Sequence, residues 1–310
     1  MTVVLVAFGT MLMYSSPLIY AALGGVISER SGVINIGLEG MMTIGACTAV
    51  IFGYYTENPT IGFLMGGAAG ASLALLHAAA SISLRANQVV SGIAINIVGV
   101  GLALFMARLF FDGAINTPPV PNKMPKILGG LFGNASESAK LAFNQDVAVI
   151  LAFAAVVIMY VVLNHTKWGL RVRAVGEHPA AAETVGVNVY LVRYICVLLS
   201  GMLAGFGGAT MTLSVVSSFS PAIISGHGFI ALAAVIFGRW TPHGAMGACL
   251  LFGFSQVIVV MLGGGVLTMI DSKVLSMIPY ILTLVMLIIM RGKSAAPKAD
   301  GVPFERGSHG

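Results

Sequence analysis

Charge is absent from long stretches of this chain, and that absence constrains the fold more than any motif does. No Asp, Glu, Lys or Arg occurs in residues 1–28, 58–84, 86–107, 147–166, 194–238 or 240–270. A helix on the surface of a soluble protein needs a polar face, whereas one that is apolar all round belongs in a large core or in lipid. Roughly 20 apolar residues span a bilayer core of about 30 Å. Most of these stretches meet that length, and 194–238 is long enough for two crossings. The expected fold class is all-α, a polytopic helical membrane protein.

Composition agrees with this reading. Charged residues make up 9% of the chain, hydrophobic residues 57%, and the mean hydropathy is +0.95. A soluble domain carries about 25% charged residues, so a soluble enzyme, a nucleic-acid binder and a disordered tail are excluded together. The net charge of +5 needs no acidic partner, because Lys and Arg collect in the cytoplasmic loops of membrane proteins. Cys47, Cys196 and Cys249 are scattered in apolar context, without a CxxC pair or a nearby His, and read as packing residues rather than a disulfide framework or metal site. The N-terminal apolar run lacks a basic start and reaches Ile27. It is too long for a signal peptide and is expected to be a retained first helix.

Spans are expected at about 3–27, 33–53, 60–84, 87–111, 147–163, 192–213, two within 225–262, and 274–290. The total is about eight or nine, with a broken or re-entrant piece around "SSFSPAIISGHG" at 217–228. Such a build is also a candidate for the inverted internal repeat common among transporters. The polar insert 112–146 is rich in Pro, Gly and Asn and reads as an extramembrane loop. The basic residues set the orientation. Lys167, Arg171, Arg173 and Arg193 crowd 164–193, and Arg291, Lys293, Lys298 and Arg306 lie near the C-terminus. Both segments are therefore placed in the cytoplasm. Counting back, 112–146 and 54–59 fall outside, the turn at Arg85 and residues 28–32 inside, and the N-terminus outside. The transmembrane body would be 1–293, followed by a cytoplasmic tail, 294–310.

Glycine is abundant within the spans. "GGAAGAS" at 66–72 and "GMLAGFGGA" at 201–209 hold small-xxx-small spacings, which let helix backbones approach closely in lipid. A phosphate loop is missing: the one Gly-Lys-Ser, Gly292–Ser294, has Leu287 where the first Gly should stand. No nucleophile elbow, HExxH or His–carboxylate cluster is present either, so an enzyme reading has no catalytic set and no metal or cofactor site.

Two polar stretches interrupt the apolar pattern. In "SERSGVINIGLEG" (28–40), Asn35 and Glu39 would share a face if both were helical, and the glycines invite a broken entry. A carboxylate within a span costs about 2.5–3.5 kcal/mol on insertion scales. Glu39 therefore faces a cavity or a partner group, as a residue of a translocation path or as a structural cap. In "NQVVSGIAIN" (87–96), Asn87, Gln88, Ser91 and Asn96 are neutral donors and acceptors. They suit an uncharged polyhydroxylated solute, or equally hydrogen bonds between helices. Within 164–193, His178–Gly186 reads as a short helix with Pro at its start and Gly at its end, either a docking element or an ordinary loop helix.

The runs "SERSGVINIGLEGMMTIGA", "ANQVVSGIAINIVGVGL", "GLRVRAVGEHPAAAETVGV" and "GHGFIALAAVIFGRWTPHGA" resemble the permease subunits of ATP-binding-cassette importers. The branch is the one for simple sugars, nucleosides and branched-chain amino acids. The resemblance spans nearly the whole chain apart from 112–146 and the tail. "ERSGVINIGLEGMM" is similar to the nucleoside subgroup, where ribose-type members carry "GIDLSVG". What this resemblance implies is a translocation path in which Asn35, Glu39, Asn87, Gln88, Ser91, Asn96 and Phe229 are the candidates. It also implies an ATPase-coupling loop with Gly176, Glu177, Ala180, Ala181 and Gly186 as docking positions. The machine would include ATPase subunits holding ATP and Mg, a second homologous permease and an extracytoplasmic substrate-binding lipoprotein, all at a prokaryotic inner membrane. This chain itself would carry no cofactor.

An ion-coupled secondary transporter or channel is the alternative. Such carriers keep several ionisable groups at midplane depth, and here Glu39 and Arg108 are the available ones. The charge count makes the topology testable. In a Cys-free background, cysteines at Ala174 and Ala296 should label from the cytoplasm and one at Asn134 from outside. Labelling of residue 174 from outside would invert the whole assignment.

Overall fold

The structure is a computed structural model and describes residues 2–126, 142–263, 277–289 and 296–305. Its described residues form eleven α-helices: α1 Thr2–Arg30, α2 Leu38–Tyr55, α3 Pro59–Ala78, α4 Gln88–Phe110, α5 Val147–His165, α6 Lys167–Glu177, α7 Pro179–Thr184, α8 Val189–Thr210, α9 His227–Phe237, α10 Pro242–Gly263 and α11 Ile278–Ile289. Short π-helical turns, Ala79–Ser83 and Met211–Val215, extend α3 and α8. The one β feature among the described residues is an isolated antiparallel bridge, Lys126 to Asp146.

Six of these helices, α1, α3, α4, α5, α8 and α10, are long and apolar enough to cross a bilayer. α2 occupies the centre, packed chiefly against α3, α8 and α4, and every residue from Leu38 to Ile51 is buried. Protein, not lipid, surrounds it. That is why it accommodates Glu39, Thr43 and Thr48 at the cost of a lower hydropathy.

Five of the expected spans through residue 213 coincide with α1, α3, α4, α5 and α8, whereas the one expected at 33–53 is α2, which begins only at Leu38 and is not among the six. The window 225–262 differs. It holds one long helix, α10, and a short one, α9, whose 11 residues reach only about 16 Å at 1.5 Å per residue. Irregular backbone over 216–226 precedes α9, with Ser217 and Gly226 in left-handed conformation. This irregular part, where the sequence carries four serines, Pro221 and Gly226, is enclosed by protein. Val120 N–H donates to Ser217 O (2.8 Å), Thr117 N–H to Phe219 O (3.0 Å), and Phe219 N–H to Thr117 Oγ1 (2.9 Å). The loop expected at 112–146 is irregular over 111–126, but 127–141, including Asn134, lies outside the described residues.

The inter-element links sort to two ends. At one end Gln145 Nε2–H donates to Gly9 O at 3.2 Å and Asn122 Nδ2–H to Glu57 O at 2.8 Å. At the other, Arg30 Nε–H donates to Trp240 O at 2.8 Å and Arg193 Nε–H to Ser31 O at 3.2 Å. The segments 54–59 and 112–126 thus share one end, and 28–32, 85–87, 166–189, 238–241 and 296–305 share the opposite one.

The two glycine-rich runs meet each other. α3 and α8 pack face to face, and a Cβ on Gly201 would lie 2.5 Å from Gly70 O and still nearer the Ala74 methyl. Without side chains the two backbones come close enough for extensive dispersion contact. Overpacking of a tight core typically costs about 1–3 kcal/mol. Gly201→Val should therefore lower the thermal midpoint and the monodisperse yield of detergent-purified protein. Gly247→Val, at a position where a Cβ meets nothing within 4 Å, should leave both near wild type.

Candidate functional site

The chain between α1 and α2, residues 31–37, is not helical. Helix ends leave orphan N–H and C=O groups, and at membrane depth protein groups must satisfy them. Polar side chains from α3, α4 and α8 do so here. Ile34 N–H donates to Gln88 Oε1 at 2.8 Å. Asn96 serves two strands of the break, accepting from Gly40 N–H at 2.8 Å and donating to Ile36 O at 3.0 Å. Asn35 turns back on the link, accepting from Gly37 N–H at 3.1 Å and donating to Ser200 Oγ on α8 at 2.9 Å.

His77, fully buried on α3, completes the set. Its Nε2 lies 3.0 Å from Ile34 O and its Nδ1 2.9 Å from Ser91 Oγ. A carbonyl can only accept, so Nε2 carries the proton, and a neutral ring then accepts from the Ser91 hydroxyl at Nδ1. Ile34 is thus held at both its N–H and its C=O by side chains from two different helices.

Glu39 lies one turn further on, 9% exposed. It does not share a helical face with Asn35, as its spacing suggests, because α2 begins only at Leu38 and Asn35 belongs to the link. Its two carboxylate oxygens accept from Gly226 N–H (2.6 Å) and Gly228 N–H (2.7 Å) at the start of α9. A carboxylate on the first turn of a helix satisfies orphan amides and complements the positive end of the helix dipole. The two broken segments are thereby joined to each other. Gly228 is required for this approach: a Cβ there would sit 2.5 Å from Glu39 N.

The sequence-derived path candidates therefore fall into two groups. Asn35, Glu39, Gln88, Ser91 and Asn96 are assembled around the two broken segments. Asn87 is exposed and caps α4, accepting from Val89 and Val90 N–H at 3.0 and 3.1 Å, and Phe229 is 51% exposed on α9. Gln88 is 3% exposed, and its Nε2 has no hydrogen-bond partner among the described residues. His77 and Ser200 complete the site from positions that no local spacing marks, since each meets the link only through tertiary packing.

At the end that holds Arg193, α6 and α7 form a corner around His178. Thr166 caps α6 by accepting from Gly169 N–H at 3.0 Å, and Pro179 starts α7. Gly186, with φ of +85°, closes the turn after it. Ala180, Ala181 and Gly186 are exposed and Glu177 half-buried. Gly176 is buried against the backbone of Arg30 and accepts from Ala299 N–H at 2.9 Å. A cleft of about 590 Å³ opens between this corner and 298–305, lined by Ala180, Ala181, Val302 and Phe304 among others. Asp300 sits in this region, and its own burial, reinforced by Glu29 and opposed by Arg193, pushes its carboxyl up to about 8.

The link makes a clear demand on Asn96. Each buried backbone group left without a partner costs about 1–3 kcal/mol, and Asn96→Ala strands both Gly40 N–H and Ile36 O. Its thermal midpoint in detergent should fall well below that of Ser91→Ala, whose hydroxyl serves His77 alone. Equal midpoints would remove Asn96 from its role at the link.

The family described as the permease component of branched-chain amino acid transport systems matches residues 7–290. The chain is 45% identical over 306 residues to the guanosine ABC transporter permease protein NupQ of Bacillus subtilis, covering 96% of this chain and 95% of that one. It is 42% identical over 305 residues to the nucleoside ABC transporter permease protein NupC of Lactococcus lactis subsp. cremoris, with 95% of each chain covered. Among solved structures, an inward-facing metal-chelate type ABC transporter superposes with a TM-score of 0.50 over 91% of this chain and 85% of that one. At 16% identity this last likeness speaks to the fold alone. The chain is a multi-pass membrane protein that belongs to the ABC-importer permease family of branched-chain amino acid transport components, a transport subunit and not an enzyme.

Proposed function

We propose that this chain is one membrane subunit of an ATP-driven importer for nucleosides or closely related ribosyl solutes, working by alternating access. The observation that carries the reading is identity of 45% to a guanosine permease across 96% of the chain. The geometry supports it: neutral donors and acceptors gather at a helix break, the kind of discontinuity at which transporters hold solutes. Ribose hydroxyls and base edges offer the same hydrogen-bonding groups as the link. Asn35, Gln88, Ser91 and Asn96, with Glu39, Asn87 and Phe229, are the path candidates. A solute that competes for the link's partners would bias it between two arrangements.

In this reading the end bearing Arg193 and the 296–305 segment faces the cytoplasm, and the Tyr55–Asn122 end faces outside. α2, the 216–226 segment with α9, and α11 add to the six long helices, giving the crossings needed for an outside N-terminus. Glu177, Ala180, Ala181 and Gly186 meet the ATPase subunit, which holds ATP and Mg, and Gly176 seats the corner on α1. A second homologous permease and an extracytoplasmic lipoprotein complete the assembly. An ion-coupled carrier is disfavoured, since both Glu39 oxygens already hold backbone amides and are poorly placed to trade a proton or cation.

Gly186→Trp and Glu177→Arg test this, since both alter the corner without entering the membrane core. Expressed with the ATPase, second permease and capture protein, each variant should insert, and Glu177→Arg should melt as wild type. ATPase co-purification and uptake of tritiated guanosine should both drop. Wild-type values for both measurements would refute the coupling assignment. Absence of any nucleoside uptake by the wild-type assembly, with a panel of purine and pyrimidine nucleosides, would refute the solute class.

A further inference from the structure

The segment Ala296–Glu305 lies beyond the last helix, yet it touches every element that a coupling movement would have to cross. Ala299 N–H donates to Gly176 O at 2.9 Å, at the corner between α6 and α7. Arg193, 1% exposed and among the largest fully buried side chains, holds two segments with one guanidinium. It donates from Nη1 to Val302 O at 3.0 Å and from Nε to Ser31 O at 3.2 Å. Tyr190 donates its hydroxyl to Phe304 O at 3.2 Å, and their rings are 5.7 Å apart. Glu305 pairs with Arg85, in the turn ahead of α4.

The closest approach is at Gly301. Its φ is +77°, and a Cβ built there would lie 2.8 Å from Ile34 Cδ1. Ile34 is the residue whose N–H and C=O are held by Gln88 and His77. The segment is therefore one side chain away from the hydrogen bonds of the helix break and one hydrogen bond away from the corner. Packed contacts of this kind transmit displacement because close-packed interiors are stiff.

We propose that Ala296–Glu305 is a coupling strut, which transfers movement of the α6–α7 corner to the α1–α2 link through Gly301 and Ile34. It rests on the reading that the corner meets the ATPase, and it adds a positioning element that acts through Ile34 and does not itself contact the solute. The cleft between the corner and this segment means that a partner seated on α7 presses on both at once.

Gly301→Val tests the strut in the assembled transporter. The branched side chain is disfavoured at positive φ and pushes on Ile34. Ile158→Ala, on α5 away from the cleft and with a side chain 62% exposed, is the control. Three quantities are read: ATPase co-purified, the ATP-dependent change of a fluorophore on Ala86→Cys, and tritiated guanosine uptake per bound ATPase. Gly301→Val should keep wild-type ATPase binding per folded protein, with a thermal midpoint lowered by the strain at positive φ. The fluorophore response and the uptake should fall by about five-fold or more, the low end of coupling between distant sites. Ile158→Ala should leave all three at wild type.

Unchanged response and uptake in Gly301→Val would overturn the strut. Loss of bound ATPase would overturn it as well, by making the segment part of the docking surface. Should Gly301→Val be recovered poorly, Gly301→Ala places a single methyl at the same contact, and poor recovery of both would assign the segment a folding role only. Failure of the nucleoside reading is separable: the wild type would then take up no guanosine but still show the ATP-dependent change at residue 86.

Discussion

Backbone hydrogen bonding in the absence of water governs this structure. Where the helices are continuous the requirement is met within each segment, and the outer surface can be apolar. At the links 31–37 and 216–226, as at the other turns between helices, the helical ladder stops. The polar residues of the spans are concentrated where they answer those interruptions. Gln88, Asn96, His77 and Asn35 bond the first, and Glu39 caps the helix that follows the second. A side chain removed from this set would leave a buried backbone group unpaired, at about 1–3 kcal/mol.

The same requirement explains why α2 lies at the centre. A helix that begins at a break and carries a carboxylate in its first turn is costly to expose to lipid. Small residues bring α3, α4 and α8 close around it, so that their side chains reach the break. Close packing and polar satisfaction are two parts of one arrangement: the glycine contact of α3 with α8 brings His77 and Ser200 within bonding distance of the link from opposite sides. At one end Arg30, Arg193 and Glu29 tie α1, α8, the 238–241 turn and 296–305 together. An assembly that works by moving one end relative to the centre needs connections of this kind.

Much of the fold is legible in the residues because lipid imposes a simple rule on length and polarity. Charge-free runs at 86–107 and 147–166 correspond to α4 and α5, and Pro179 and Gly186 bracket α7 as their backbone preferences require. The glycine-rich runs at 66–72 and 201–209 mark surfaces made for close approach, though nothing in either run says that they approach each other. The break before α9 is legible in the serines, Pro221 and Gly226 of 217–226, whereas the shortness of α9 and the enclosure of its lead-in by 117–120 are not.

The site divides along the same line. By itself the sequence determined the class of molecule, its all-helical build and the neutral polar character of 87–96, since each follows from residue type and spacing alone. Tertiary structure alone decided that Asn35 and Glu39 do not share a helix face, that His77 joins Ser91 to Ile34, and that Gly301 lies against the link. These depend on residues 14 to more than 260 positions apart meeting across helix interfaces. No local periodicity encodes such meetings, because the groups that need partners are backbone amides and carbonyls, which every residue carries alike.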